Sequence, residues 1–316
     1  MVVIAGPTAV GKTKVSIILA QMMQGEIISA DSMLIYRNMD IGTAKPSYEE
    51  RENIPHHLID ILDPSQQFSV AQYQKMTLNI INEIHARNRL PIIVGGTGLY
   101  INSIIYPMNF TTAGFNPELR SNLLKDIEKY GSEYLFDRLK NIDPIKAEAI
   151  NPNDTKRIVR ALEVFQLTGK PMSVYSQDNY KNEPTFQLAI VGLNMERSIL
   201  YQRIDQRVDE MFDEGLVEEV YTLKKLGCNV DMQSMQGLGY KQVLEYLEGR
   251  MSLSDTINLV KQNTRRYAKR QLTWFRRDKR IYWINTDDFS TAEVLAETIA
   301  SYAKGIFTLK QEGYSI

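Results

Sequence analysis

Residues 6–13 read Gly-Pro-Thr-Ala-Val-Gly-Lys-Thr, and this spacing of glycines, a lysine and a hydroxyl residue suits phosphate binding. Glycines let backbone N–H groups close around phosphate oxygens, and a helix that starts here adds partial positive charge. The pattern therefore predicts a P-loop for a diphosphate or triphosphate. We expect Lys12 to neutralise charge between the phosphates and Thr13 to hold Mg²⁺. The predicted diphosphate ligands are Gly6, Pro7, Thr8, Ala9, Val10, Gly11, Lys12 and Thr13.

A carboxylate is expected near the phosphates at Asp31, because it directly follows the apolar run 26–30. Strand ends of an open parallel sheet meet at one ligand crevice. In ordinary P-loop NTPases a later strand ends in an acidic residue that supports Mg²⁺. Here the run 91–96 ends in Gly95-Gly96, followed by Thr97-Gly98, with no carboxylate. ATP hydrolysis is therefore not the default expectation, and Asp31 could instead only cap a following helix.

These residues need a scaffold, and the sequence predicts an α/β fold with a parallel sheet covered by helices. Short apolar runs at 2–5, 26–30 and 90–96 alternate with helical patterns at 12–24 and 68–88. Fully apolar strands separated by helices are typical of parallel sheets that are buried on both faces.

A mostly helical insertion is predicted at 112–186, within a P-loop core formed by 1–111 and 187–316. The insertion carries helix-start signals such as Asn116-Pro117-Glu118, Asp143-Pro144 and Asn153-Asp154 and few β-rich runs. Beyond it we predict a strand at 187–193, helices over 195–275 and a final strand at 281–285.

Composition points to a globular protein of the reduced cytoplasm. The 316 residues are 43% hydrophobic and 24% charged, with one cysteine, and no apolar run is long enough to cross a bilayer. The N-terminus lacks the basic segment and cleavage site of an export signal. The net charge of −1 hides a basic run at 265–280, which has eight Lys or Arg and one Asp with interleaved aromatics. Such a run suits single-stranded RNA, although its aromatics could equally pack in a core.

Several blocks taken together resemble the bacterial tRNA dimethylallyltransferases, also called tRNA isopentenyltransferases. The resemblance covers nearly the whole chain in order. The blocks that carry it are GPTAVGKT (6–13), DSMLIYRNMDIGTAKP (31–46), PHHLIDILDP (55–64), FSVAQY (68–73), VGGTGLY (94–100), NDTKRIVRALEVFQLTGKP (153–171), QRIDQRVDEM (202–211), GLGYKQ (237–242) and NTRRYAKRQLTWFRRD (263–278).

The resemblance implies transfer of a dimethylallyl group from its diphosphate to N6 of adenosine 37, in tRNAs that read codons starting with U. Lys12, Thr13 and Mg²⁺ would stabilise the leaving diphosphate, and Arg207 would grip it. Asp31 would accept a proton from the adenine amine, and Thr97 would contact the target adenosine. The catalytic set is then Asp31, Thr97, Arg207 and Lys12.

The same resemblance implies contacts with the anticodon stem-loop of tRNA. We expect the helical insertion to grip that stem-loop and the protein to act as a monomer. Leu34 stands where some members have Gln, which puts one amide contact to RNA in doubt. Further contacts are implied near 236–241 and 263–270. The predicted tRNA-binding residues are Asp31, Ser32, Met33, Leu34, Thr97, Arg120, Lys156, Arg157, Ile158, Val159 and Arg160.

Several of these residues could also have purely structural roles. The basic cluster at 156–160 could be a solvated helix face, and Arg207 could form a surface salt bridge with Asp205, Asp209 or Glu210. The adjacent residues His56 and His57 make a poor metal pair, so a structural role is expected. At the level of function, a P-loop small-molecule kinase is the main alternative. A non-catalytic RNA-binding protein that uses nucleotide as a switch is a third.

Overall fold

A parallel sheet forms the centre of the computed structural model, which describes residues 1–106, 108–111, 113–175 and 186–311. Its strands are β1 (Val2–Ala5), β2 (Gly25–Ser29), β3 (His56–His57), β4 (Leu90–Gly95), β5 (Ala189–Asn194) and β6 (Tyr282–Asn285). Their order is β3-β2-β4-β1-β5-β6, and every neighbouring pair is parallel. The carboxyl ends of the strands therefore share one edge of the sheet, where ligands bind in open α/β folds.

Helices lie between and after these strands along the chain. In chain order they are α1 (Lys12–Met23), α2 (Val70–Ala86), α3 (Gly98–Ile105), α4 (Pro117–Tyr130), α5 (Ser132–Ile142), α6 (Pro144–Glu148), α7 (Thr155–Thr168), α8 (Arg197–Asp213), α9 (Leu216–Lys225), α10 (Tyr240–Leu247), α11 (Leu253–Phe275) and α12 (Ala292–Gln311). The chain divides into a sheet unit, Met1–Ile105 with Phe186–Ile316, and a helical unit, Tyr106–Thr185.

The core of the sheet unit lies around its central strands. All four residues of β1 are buried, as expected for a strand covered on both faces. Helix α1 contributes Ile17 and Leu19 to this core, and α12 contributes Leu295 and Ile299. Burial of each such side chain stabilises the fold by about 1.5–3 kcal/mol. The packed core in turn holds the strand ends, and with them the loops that follow the strands, in place.

The helical unit has a core of its own, built from α4, α5 and α7. Leu135, Leu139, Ile158 and Leu162 are fully buried in it. Helices α4, α6 and α7 begin at the predicted signals, whereas α5 follows Gly131, which was not one of them. Asn116 Oδ1, for example, accepts a hydrogen bond of 2.9 Å from the Leu119 N–H at the start of α4.

The structure confirms the predicted α/β class, and the predicted strands agree with the observed ones to within two residues. The edge strand β3 was not predicted, because two histidines leave no apolar run. His57 Nε2 lies 2.7 Å from Glu26 Oε2, which also pairs with Arg87. No element was predicted after residue 285, yet Leu295, Ile299 and Ala303 of α12 are buried at helical spacing. That spacing was readable in the sequence.

Candidate active site

Three strands of the sheet unit deliver their loops to one cavity of about 950 Å³. The 6–13 loop follows β1, Asp31 lies just beyond β2, and Gly96 and Thr97 follow β4. The cavity is lined by Lys12, Thr13, Asp31, Gly96 and, from α8, Arg207. The parallel order of the strands therefore brings the predicted phosphate loop and the predicted base to the same space.

The 6–13 loop has the backbone shape of an anion cradle. Ala9 and Gly11 have positive φ values of 64° and 94°, so successive N–H groups turn towards one side. Gly11 is the N-cap of α1 and supplies no side-chain hydrogen bond, which leaves the first amides of the helix for a ligand. Gly6 cannot be replaced easily, because a Cβ there would lie 2.7 Å from the Leu193 carbonyl oxygen.

Lys12 is held against the loop that precedes it. Its Nζ donates to the carbonyl oxygens of Pro7, at 2.7 Å, and Gly6, at 3.0 Å. Burial lowers the pKa of Lys12 to about 8; the Asp31 carboxylate opposes this change, and Arg207 adds to it. The electrostatic effects show that Lys12, Asp31 and Arg207 form one interacting group of charges.

Asp31 has one local bond and otherwise faces the cavity. Its Oδ1 accepts from the Met33 N–H at 2.8 Å, so a local turn does form at this residue. No helix follows it, however, since residues 32–38 form turns and one bridge. Because Asp31 also lines the cavity, its carboxylate is available to a ligand as well as to the turn.

Thr97 connects the Asp31 loop to α11. Its Oγ1 accepts a hydrogen bond of 3.2 Å from the Ser32 N–H. Its N–H donates to the Ala30 carbonyl at 3.1 Å, and its hydroxyl interacts with the phenol of Tyr267, whose pKa burial raises to about 12. Thr97 is therefore fixed beside the loop that carries Asp31.

Arg207 projects from α8 into the cavity rather than forming a surface salt bridge. Asp205 pairs with Arg265 and Asp209 with Lys261, both on α11. The guanidinium of Arg207 lies 3.5 Å from the Ala44 carbonyl oxygen. Burial lowers the pKa of Arg207, while the carboxylates of Asp31, Glu210 and Glu50 oppose that change.

Helix α11 contributes Gln271, which the sequence did not single out, and the aromatics of the basic run. Gln271 is only 5% exposed; its Oε1 accepts from the Thr8 N–H at 3.0 Å and its Nε2 donates to the Gly96 carbonyl at 3.1 Å. Trp274 packs against Gly98, where a Cβ would lie 2.1 Å from the indole. The glycines after β4 thus admit this helix. Phe275 is buried and Trp274 is half-buried, so the core packing that one of the two sequence interpretations expected holds fully only for Phe275.

The loop between Asp31 and Pro46 is also anchored from outside. Glu219 of α9 accepts from the N–H groups of Asp40, Ile41 and Gly42 at 2.8–3.1 Å and from the Tyr240 hydroxyl at 2.6 Å. Nothing in the local sequence marks Glu219, because its loop partners lie about 180 residues away along the chain.

The remaining residues predicted at the 31–34 loop are half-buried. Leu34 lines the cavity, and the Met33 side chain lies against Gly237. Ser32 presents its N–H to Thr97. The two ends of this loop, Asp31 and Leu34, therefore form part of the cavity wall.

The predicted RNA-binding residues of the helical unit fall into three groups. Arg120 and Arg160 both pair with the buried Glu163, and Arg160 also donates to the Ala113 and Gly114 carbonyls. The side chains of Ile158 and Val159 lie in the core of the unit. Lys156 and Arg157 are exposed, and Arg157 pairs with Asp154 at 3.3 Å.

Within the described parts of the chain, no group of three or more His, Cys, Asp or Glu side chains is arranged to bind a metal ion. None of the helices in the same residues is both long and apolar enough to cross a bilayer.

Comparison with known proteins places these features in a family. The family model described as IPP transferase matches residues 34–278. A tRNA dimethylallyltransferase of Thermoanaerobacter sp. (strain X514) is 51% identical over 96% of this chain and 98% of its own length, and one of Alkaliphilus oremlandii is 50% identical over 97% and 98%.

Solved structures give the same result. The full-length tRNA isopentenylpyrophosphate transferase of Bacillus halodurans has a TM-score of 0.72 and 44% identity, with 98% of both chains covered. A eukaryotic dimethylallyltransferase solved while acting on tRNA has a TM-score of 0.82 and 31% identity, covering 98% of this chain and 79% of that one.

Proposed function

The chain belongs to the IPP transferase family, and we propose that it transfers the dimethylallyl group of dimethylallyl diphosphate to N6 of adenosine 37 in tRNA. Family membership makes it a transferase that modifies tRNA, as the sequence predicted. We further propose that it acts as a monomer in the cytoplasm, on tRNAs that read codons starting with U.

One observation carries the proposal: the P-loop, Asp31 and Arg207 line a single cavity, and their charges act on one another. A transfer from a diphosphate to an amine needs cations where the leaving group forms and a base where the amine loses its proton. Both requirements are met on the walls of one space.

The diphosphate end is formed by Lys12, Arg207 and the free amides at the start of α1. Negative charge grows on the leaving oxygen as the C1–O bond breaks, and preorganised donors stabilise that charge more than they stabilise the substrate. The exposed Thr13 hydroxyl fits Mg²⁺ bound mainly through diphosphate oxygens and water, since no protein carboxylate cluster is needed for such an ion. When bound, the ion would add further charge stabilisation.

At the other end, Asp31 receives the proton. The N6 lone pair forms the new bond to C1, the C1–O electron pair leaves with the diphosphate, and the N6 proton passes to a carboxylate oxygen of Asp31. The exocyclic amine is a weak nucleophile, so the acceleration depends on holding N6 and C1 in line. Thr97, held beside the Asp31 loop by its bond to the Ser32 N–H, is suited to contact the adenosine.

The adenine must leave its stack to enter this cavity, at a cost of a few kcal/mol. We propose that the helical unit contributes to the grip on the anticodon stem-loop through its exposed cations, Lys156 and Arg157. Arg120 and Arg160 use part of their donor capacity on Glu163 and so present fewer N–H groups to phosphate.

The test uses labelled dimethylallyl diphosphate and an unmodified tRNA transcript with the wild-type protein, Asp31→Asn and Asp63→Asn. Asparagine keeps the acceptor for the Met33 N–H but cannot take the proton. We expect Asp31→Asn to lower kcat by about 100-fold or more with tRNA affinity retained. Asp63, a surface residue paired with Arg37, is the matched control and should change little. Equal activity of the two variants would contradict the role of Asp31, and the absence of label in RNA with wild-type protein would contradict the function.

A further inference from the structure

We propose that Gln271 of α11 is a positioning residue that holds the P-loop in its diphosphate-receiving form and in register with the Thr97 loop. This inference rests on the proposed function, because it assigns a role in that reaction to a cavity-wall side chain that acts through the two loops it holds. Helix α11 is then the element that joins the two halves of the reaction.

Both ends of the Gln271 amide are bonded to site loops. Gln271 Oε1 accepts from the Thr8 N–H of the P-loop, and Nε2 donates to the Gly96 carbonyl beyond β4. A buried glutamine that satisfies two backbone groups from loops about 90 residues apart in sequence sets the distance between those loops. Each bond would leave a buried polar group unpaired if it were lost.

The Gln271 amide is closely packed against the loop that follows β4. A Cβ on Gly96 would lie 2.0 Å from Gln271 Nε2, and one turn of α11 further on, Trp274 closes on Gly98 in the same way. The tight contacts on both sides of Thr97 leave this loop little freedom to move relative to α11.

The connections of Gln271 also continue to the base. Gln271 holds the Gly96 carbonyl, and the next residue, Thr97, accepts from the Ser32 N–H beside Asp31. The path from Thr8 through Gln271, Gly96 and Thr97 thus joins the diphosphate loop to the base.

The diphosphate loop gains from such a support because it has little of its own. Its N-cap residue provides no side-chain bond, and Lys12 is the main internal tie. Because Gln271 holds the loop through the Thr8 N–H, the amides at the start of α1 remain available to phosphate oxygens. A preorganised loop binds its ligand without a further loss of conformational freedom.

The test compares Gln271→Met with Gln262→Met. Both replace a glutamine of α11 by an unbranched side chain of similar length, but Gln262 is exposed and so serves as the matched control. Three measurements are made: the Kd of inorganic diphosphate with Mg²⁺, the KM and kcat with dimethylallyl diphosphate, and the Kd of the tRNA transcript.

For Gln271→Met we expect the diphosphate Kd and the KM to rise by about tenfold and kcat to fall by about tenfold or more, with tRNA affinity within about twofold of wild type. Gln262→Met should match wild type in all three. A merely structural role would lower the amount of active protein without changing the Kd or KM of the folded fraction. Unchanged diphosphate Kd and KM in folded Gln271→Met would overturn the proposal.

Gln271→Glu provides a second test that does not depend on how well the methionine variant folds. A protonated glutamate can donate to the Gly96 carbonyl and accept from Thr8, whereas its carboxylate opposes that carbonyl. Activity relative to wild type should therefore be highest at low pH and fall as pH rises. A flat ratio across pH would overturn the proposal. Diphosphate binding is measured without transfer, so a wild-type protein that bound diphosphate but modified no RNA would contradict the proposed function and not this inference.

Discussion

Binding of the diphosphate substrate should draw a proton onto Lys12 at alkaline pH. In the free protein, burial lowers the pKa of this ammonium to about 8. A diphosphate placed beside it supplies several negative charges and raises that pKa again, because an adjacent opposite charge favours the protonated form. The perturbation is therefore ligand binding itself, studied as a function of pH.

The size of the effect follows from the pKa. At about pH 8.5 only about a quarter of free Lys12 is protonated, so binding should take up about 0.8 proton per site, against about 0.1 at pH 7.

The same lowered pKa of Lys12 also affects the stability of the fold. Between about pH 8 and 10.5 the unfolded chain holds the Lys12 proton more tightly than the folded one, so this residue adds to the free energy of unfolding as pH rises through that window.

Titration calorimetry with dimethylallyl diphosphate in buffers of different ionisation enthalpy measures this uptake. Lys12→Arg is the control, because an arginine stays protonated over this range and so reports only the protons exchanged by ligand and Mg²⁺. The difference between wild type and Lys12→Arg should grow from pH 7 to 8.5. Equal uptake in the two proteins at every pH would refute the role of Lys12 as the group that gains the proton.

Three further predictions concern other parts of the chain. Glu163→Ala should reduce the free energy of unfolding by about 3–5 kcal/mol in urea melts, because it removes the buried carboxylate that pairs with Arg120 and Arg160. The exposed Asp137→Ala should cost less than about 1 kcal/mol. Gly98→Ala should lower kcat about 100-fold in transfer assays, since its Cβ would displace the loop that carries Thr97. Replacing Lys156 and Arg157 together by Gln should make the salt dependence of tRNA binding shallower by about 1.5 in log–log slope, and an unchanged slope would exclude phosphate contacts there.

The elements that could be predicted from sequence are those whose signals are local. A P-loop combines glycine spacing, a preceding apolar strand and a following helix, and all three lie within residues 2–23. The position of Asp31 followed from topology, since a residue at the end of a parallel strand reaches the same edge of the sheet as the P-loop. The structure brings both to one cavity for that reason.

Side chains that act across the fold could not be predicted in this way. Gln271 binds loops 263 and 175 residues away in sequence, and Glu219 binds a loop about 180 residues away. Neither stands in a pattern that distinguishes it from a surface helix residue. Their roles depend on how α11 and α9 pack, which is a property of the folded sheet unit.

Charged residues of helix α7 show a second limit. The sequence presents Lys156, Arg157 and Arg160 as one cluster at helical spacing, but the structure separates them. Arg160 turns towards a buried carboxylate, whereas the other two stay exposed. Helical periodicity predicted on which side of α7 each residue lies, but it did not predict that Arg160 pairs with a buried carboxylate. In the sequence, Glu163 looks like one more surface charge.

The most direct test is mass spectrometry of a tRNA transcript incubated with the protein, Mg²⁺ and dimethylallyl diphosphate. A second transcript with guanosine in place of adenosine 37 is the matched control. We predict one dimethylallyl group on that adenosine, an equimolar release of diphosphate, and no product with the control transcript. Unmodified RNA together with ATP-dependent phosphorylation of a small molecule would contradict the proposed transfer and support a P-loop kinase instead.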